Sequence, residues 1–439
     1  MTTINYIRRA LAVLPPILAL SACSVDSLLE VDVPGRVPEE ALNDPALAAT
    51  LVNGVIADLE CAWTNYTGAA AVHSDEYLAA SGNLNNKQWA SRQITSSNNV
   101  LATSACGTPY GLFTPLHTAR FQAEDVFERL GAFDADAVPD RTELQATVRA
   151  YGAYALVALG EGFCEMTVDG GPLMQPEEVL ALAEERFTDA IELATQADAT
   201  DILGMALVGR ARVRLDLENF AGAIADAERV PAGFLQNATR DASTDRRWNL
   251  HHELVNSNTI KHASVADNYR DLEFKGVPDA RVNVMTNGEL SFDFVTIHWF
   301  HDKTSGRESP VPIASYDEAQ LILAEAAARS GDLDTARDIL NELHAAVGLP
   351  VYEASDIPTQ DDVVRAVLEE RRRELFVEGA WRLNDMLRFR GTQFEIPFKG
   401  EPGSIHPDGI DQTGQVYGTT TCWPLPDAER FGNPNISGT

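Results

Sequence analysis

Basic charge is scarce in this chain: 34 Lys and Arg stand against 65 Asp and Glu over 439 residues, a formal net charge of -31. A surface this acidic repels phosphate backbones, which argues against nucleic acid as a partner. Apart from one apolar stretch near the amino terminus, no run reads as long and apolar enough to span a bilayer. Catalytic fingerprints are missing as well, with no G-x-S-x-G, no P-loop and no dinucleotide-binding glycine pattern. His252-Glu253-Leu254-Val255-Asn256 comes within one residue of a zinc-protease helix, but Asn256 holds the place of the second histidine. His298 and His301 with Asp302 lack a further ligand cluster, and Asp408 and Asp411 are spaced too loosely for a calcium loop. Acid pairs for glycoside hydrolysis can be picked from so many carboxylates, yet their separation is not legible in sequence. No catalytic residue, cofactor or metal is expected.

What is present begins with an address. Arg8 and Arg9 precede an apolar segment over 10–20, and Leu20-Ser21-Ala22-Cys23 has the form of a bacterial lipobox. The expectation is a lipoprotein signal over 1–22, cleavage before Cys23, and lipid on that cysteine. Loss of the leader takes two arginines with it, leaving 32 basic residues against 65 acidic, or -33. Residues 23–38, polar and proline-punctuated, read as a tether. Cys61, Cys106, Cys164 and Cys422 remain, the number for two disulfides in an exported chain. Of three connectivities, Cys61 with Cys106 and Cys164 with Cys422 is favoured, the second pinning the carboxy-terminal tail to the helical core. Zinc is the rival reading, though no two of the four lie within metal-ligand spacing.

The rest reads as one domain over 39–439. Asp44 and Pro45 open a helix with Leu47, Leu51, Val55 and Leu59 on its buried stripe. From about 63 to 110 the chain turns rich in Gly, Asn and Ser, with scattered aromatics, and reads as ordered loops. Helices resume near residue 113. Two helical hairpins, over 205–229 and 317–347, turn at Glu218-Asn219 and Gly331-Asp332, with small residues such as Gly209, Ala211 and Ala223 at tetratricopeptide-like positions. Between them, about 233 to 312, lies an insertion with little helical period, read as irregular structure with a few short strands. The fold class is therefore mainly α: tetratricopeptide-like hairpins form a scaffold that carries loop-rich insertions.

Residues 369–391 break a helix rule. Val364, Leu368 and Leu375 mark one face, yet Arg371 and Arg372 occupy the slots between the last two. A buried guanidinium survives only when paired and hydrogen-bonded, so Arg371 or Arg372 should clamp a carboxylate outside its own turn; Glu325, Glu374, Glu378 and Asp385 are the candidates.

At this block the chain resembles a family. Glu370-Arg371-Arg372-Arg373-Glu374-Leu375, Glu378-Gly379, Arg382, Asp385 and Leu387-Arg388-Phe389 are similar to the carboxy-terminal signature of SusD/RagB-like outer-membrane lipoproteins. Residues 316–331, the central Pro278-Asp279-Ala280-Arg281 and the ending Pro424-Leu425-Pro426-Asp427 with Asn433-Pro434-Asn435 agree in order. The tryptophan usual between the signature's arginine and aspartate is replaced by Leu383-Asn384, with Trp381 before the arginine instead. The resemblance implies a cell-surface lipoprotein that captures a nutrient, a glycan or in some members a peptide, and closes it into a SusC-type TonB-dependent transporter without chemistry on the cargo. Two other classes compete. A repeat adaptor of envelope assembly would need contiguous repeats and few exposed aromatics, and an enzyme would turn a saccharide over.

Sugars are held by aromatic faces and planar amides. Trp89 with Asn86, Trp63 and Tyr66 in the first loop-rich region, and Trp248, Tyr269 and Trp299 in the insertion, are the candidate ligand-binding residues. Trp89 leads, because the amide-rich run before it reads as exposed.

Overall fold

The computed structural model describes residues 42–107, 109–256 and 261–436. The expected signal peptide, the lipidation site Cys23 and the tether lie outside the described residues.

The first long helix, α1 (Ala48–His73), follows a turn in which Asp44 Oδ1 accepts the Ala46 N–H at 3.0 Å. Every residue from Leu59 to His73 is buried. This corrects the boundary at residue 63, since the chain stays helical for ten residues further. A helix buried all round carries no amphipathic period, so its Asn, Thr and Gly imitate a loop in sequence. The stretch Pro45–His73 is also apolar enough, by length and composition, to cross a membrane, contrary to the sequence reading. Other helices pack against it, and its buried polar groups are bonded inside the protein, as in Asn65 Nδ2 to the Gly111 carbonyl at 2.9 Å.

A short helix, α2 (Leu84–Ala90), precedes α3 (Phe113–Ala132), α4 (Arg141–Gly162), α5 (Pro176–Ala197), α6 (Thr200–Asp216) and α7 (Phe220–Ala227). Glu218 takes the left-handed conformation at the α6–α7 turn, and the Asn219 side chain caps the Gly222 N–H. A Cβ at Gly209 would lie 2.2 Å from the Phe187 ring, so only glycine lets α5 and α6 nest at this depth. The second hairpin is α8 (Tyr316–Ser330) and α9 (Leu333–Val347), turning at Gly331 with φ of 91°. Then come α10 (Gln360–Glu374), opened by a Thr359–Asp362 capping box, and α11 (Trp381–Arg388).

Strands are short: β1 (Tyr77–Ala79), β2 (Leu235–Ala238), β3 (Ala263–Val265), β4 (Glu273–Phe274), β5 (Val277–Pro278), β6 (Val284–Leu290), β7 (Ile297–His301) and β8 (Val311–Ser315). They pair antiparallel as β1 with β3, β2 with β8, β4 with β5 and β6 with β7. Most of them fall in the insertion between the two hairpins.

Cys61 is bonded to Cys106, and Cys164 to Cys422. The second bridge joins the end of α4 to the tail, where Trp423 donates its backbone N–H to the Gly162 carbonyl at 2.8 Å.

The anomalous arginines are resolved by long-range partners. Arg371 is fully buried; its Nη2 meets Glu325 of α8 at 2.6 Å and its Nη1 meets Asp385 of α11 at 2.8 Å. Arg388 clasps the same Glu325 carboxylate through Nη1 at 2.9 Å and Nη2 at 2.6 Å. Burial opposes ionisation of Glu325, but Arg388 and Arg371 outweigh it and hold its pKa below the usual carboxylate range. Arg372 pairs locally with Glu369 and donates to the Asn268 carbonyl. Two expected partners are corrected: Glu374 pairs with Arg281, and Glu378 with Lys303. A second buried node, not foreseen, has Arg212 bidentate to Glu161 at 2.6 Å on both bonds and donating to the Gly379 carbonyl at 2.6 Å. Trp381 lies beneath both nodes, 4.3 Å from the Arg212 guanidinium carbon and 4.6 Å from that of Arg371.

Candidate functional site

The predicted ligand aromatics divide sharply. Trp89 is completely buried, stacked on Tyr110 at 5.0 Å and tilted against Trp423 at 5.4 Å. Asn86 is buried beside it and donates to the Tyr110 hydroxyl at 2.8 Å. The phase of α2 is the reverse of the expectation: Asn86, Trp89 and Ala90 face inward while Leu84 is exposed. Trp63 donates to the Pro312 carbonyl at 2.8 Å, and Tyr66 to Glu161 Oε2 at 3.0 Å, both within the core. Tyr269 is buried between Phe376, 4.8 Å away, and the Arg372 guanidinium. None of these five can offer a ring or amide to a ligand, because each is enclosed by packing from distant parts of the chain. Trp248 and Trp299 remain half-buried.

Exposed aromatics are found instead on Phe121, on Phe431 and, as a pair, at a turn that the sequence reading passed over. Between β6 and β7, Asp293 Oδ1 accepts the N–H groups of Val295 and Thr296 at 2.9 and 2.8 Å, and its Oδ2 accepts the Thr296 hydroxyl at 2.6 Å. This carboxylate-capped turn holds Phe292 53% and Phe294 78% exposed, with ring centroids 6.4 Å apart and planes 29° from parallel. Phe294 has φ of 58°, the left-handed region that bulky residues avoid. Such strain concentrates where a side chain must be presented. The alternation of β7 continues the surface, placing exposed Ile297 and half-buried Trp299 on one face, with Arg270 stacked on Trp299 at 4.6 Å.

Neighbouring segments brace this turn. Asp293 N donates to the Ala80 carbonyl at 2.9 Å, and Phe292 N to the Lys261 carbonyl at 3.2 Å. Gln412 of the tail donates to the Ala79 carbonyl at 2.7 Å and the Thr296 hydroxyl at 3.0 Å. Lys261 pairs with Glu289, whose pKa is lowered by that hydrogen bond.

A cavity of about 200 Å³ lies next to the turn, lined by Pro109, Trp248, Leu250, Leu254 and His262 among others. His262 joins the two features: its Nδ1 meets the Ser81 hydroxyl at 2.7 Å, and its ring lies edge-on to Phe292 at 5.5 Å. Burial lowers the His262 pKa, favouring a neutral ring. Trp248 is covered by Arg307, whose guanidinium lies 3.6 Å from the ring centroid and pairs with Glu253 at 2.7 Å. The arrangement offers aromatic and aliphatic faces flanked by Asn65, neutral His262 and carboxylates, of which Glu253 is paired with Arg307 while Asp245 also lines the cavity. It suits adsorption of an uncharged, partly apolar ligand face.

The rejected chemical motifs have structural uses. His252–Asn256 forms one π-helical turn, with Asn256 bonded to Thr304. His301 accepts or donates to the Tyr77 hydroxyl at 2.8 Å, and Asp411 Oδ1 caps the N–H groups of Thr413 and Gln415. Among the described residues no cluster of three or more His, Cys, Asp or Glu is arranged to hold a metal ion.

Helical hairpins bearing an insertion of short strands and loops give a mainly helical architecture that matches the SusD-like fold. The SusD family model matches residues 247–437. A SusD superfamily protein from Bacteroides vulgatus superposes with a TM-score of 0.67 at 16% identity, over 90% of this chain and 98% of that one. A SusD-like carbohydrate binding protein from the same organism gives 0.64 at 16%, over 90% and 97%. Surface glycan-binding protein A from Bacteroides uniformis gives 0.65 at 14%, over 88% and 98%. None of the curated proteins matches. The chain therefore has the SusD-like fold, and its carboxy-terminal part is similar to the SusD family.

Proposed function

We propose that the protein is a surface-exposed nutrient-binding lipoprotein whose cargo is a glycan, held on the Phe292–Phe294 turn and delivered to a SusC-type TonB-dependent transporter. One observation carries the binding reading: two adjacent phenylalanines stand in solvent on a braced turn, one in a strained conformation. Exposed rings gain hydrophobic stabilisation only when a partner covers them, and a pyranose presents C–H groups of the kind that stack on such rings. The names of the similar solved structures, a carbohydrate binding protein and a surface glycan-binding protein, support the cargo class. The lipobox at Cys23 and the family resemblance support a lipid anchor at the outer membrane and the transporter as partner. No chemistry on the cargo is required, and the protein is read as a binder rather than an enzyme.

The test is a glycan panel measured by affinity electrophoresis and calorimetry, on the native protein and on Phe292→Ala/Phe294→Ala. Binding lost in the double variant with its melting temperature intact supports the placement. Binding that survives in full places the site elsewhere, and turnover of any glycan overturns the binder reading. Labelling with a fatty-acid analogue, abolished by Cys23→Ser, and co-purification of a large β-barrel test the anchor and the partner.

A further inference from the structure

Another site stands apart from the Phe292–Phe294 turn. Arg365, Leu368, Glu369 and Arg372 form one stripe of α10, at the spacing that puts side chains on one helix face. They line a groove of about 530 Å³ shared with the tail segment 394–405 and with Asp75, Asn268 and Arg382. That volume accommodates a monosaccharide-sized molecule.

The groove's polar groups are unevenly satisfied. Asp75 is held bidentately by Arg382 Nε and Nη2, at 2.6 Å each, and also receives Asn268 Nδ2 at 2.9 Å. Glu369 is taken by Arg372 and Arg373, and Glu395 by Arg390 at 2.9 Å. Each lining carboxylate therefore already has its arginine. Among the described residues Arg365 has no carboxylate partner; it donates to the Gln393 carbonyl and lies over the Phe394 ring at 5.3 Å. Among the described residues Arg382 Nη1 makes no hydrogen bond, and Asn268 Oδ1 is buried with no partner. A buried acceptor left unpaired is costly and uncommon. Ile396, Pro397 and Ile405 supply an apolar wall.

We propose that this groove is a second binding site, for a small hydroxy-carboxylate of the uronic-acid type. Its carboxylate pairs with Arg365 and the free edge of Arg382, a hydroxyl donates to Asn268 Oδ1, and its ring rests on the apolar wall. The complementary groups are the Arg365 guanidinium, the free edge of Arg382, the Asn268 Oδ1 acceptor and the apolar wall of Ile396, Pro397 and Ile405. A guanidinium held in place, Arg382 by its ion pair with Asp75 and Arg365 by the Gln393 carbonyl and the Phe394 ring, suits carboxylate recognition because little further ordering is needed.

Titration calorimetry and saturation-transfer NMR with D-glucuronate, D-glucose and acetate test this on the full chain. Glucuronate binds, and both glucose and acetate bind at least about tenfold more weakly, as loss of one charge-assisted or one hydroxyl contact requires. Arg365→Gln weakens glucuronate by roughly tenfold while Arg365→Lys retains part of the affinity, since the exposed Arg365 carries no buried ion pair. Ser404→Trp, which fills the groove from the tail, abolishes binding. Phe292→Ala/Phe294→Ala leaves it unchanged, so the two sites fail independently. Acetate equal to glucuronate reduces the groove to a simple anion spot and overturns the proposal. So does glucose equal to glucuronate, insensitivity to Arg365→Gln, or no binding of glucuronate at all.

Discussion

Arg371 and Glu325 meet at 2.6 Å with both side chains wholly removed from solvent, one from α10 and the other from α8. Desolvating two charges costs more than a simple contact returns, so such a pair is tolerated only inside a network, here completed by Asp385 and Arg388. Removing one member strands the others. Arg371→Ala is expected to lose about 3–5 kcal/mol of stability, whereas Arg337→Ala, whose ion pair is with the exposed Asp334, loses about 1 kcal/mol or less. Urea unfolding of the two variants measures the difference.

Trp89, read from sequence as a ligand contact, should behave as a core residue, and Phe294, which that reading passed over, as a surface one. Trp89→Ala empties a core site and is expected to cost about 3–5 kcal/mol. Phe294→Ala leaves the melting temperature near native and instead weakens glycan binding by about 1–2 kcal/mol, close to tenfold. Thermal melts paired with calorimetry on both variants separate the two outcomes.

The Cys164–Cys422 bridge closes 258 residues and ties the tail to α4. Cys164→Ser/Cys422→Ser is expected to cost about 2–5 kcal/mol. Because the tail also braces the ligand turn through Gln412, hydrogen exchange should rise both around Trp423 and at residues 291–296. Exchange confined to the tail would show that the turn stands without it.

Glu76 is fully buried, accepts the Val377 N–H at 2.7 Å, and is pushed up by burial to about 7. A carboxyl whose folded pKa exceeds its unfolded value stabilises fully below the unfolded value, and that contribution is lost as pH rises through the folded one. Stability should therefore fall between about pH 4.5 and 7, by at most about 1.4 kcal/mol per pH unit from this group. Glu76→Gln, which keeps an acceptor and cannot ionise, is expected to flatten that part of the profile. Denaturant midpoints from pH 4.5 to 7.5 provide the measurement.

Much of the scaffold was legible because its signals are local. Gly331 and Gly348 punctuate α9, Asp44 and Pro45 open the first helix, and the alanines and Gly209 mark helices that nest. The arginine at an apolar position was legible for another reason: only a buried partner makes sense of it. The boundary at residue 63 was not, since the all-round burial of α1 erases the period that identifies a helix.

Sequence by itself therefore determined the helical hairpins, the need for a long-range clamp at Arg371 or Arg372 and the likeness to SusD/RagB proteins, all properties carried by neighbours or by the order of blocks along the chain. Tertiary structure alone decided which aromatics meet solvent. Trp89 is covered by Tyr110 and by Trp423 from the far end of the chain, while Phe292 and Phe294 are pushed outward by a turn capped through Asp293. Exposure of a ring depends on what packs over it, and those contacts join residues that no local pattern connects.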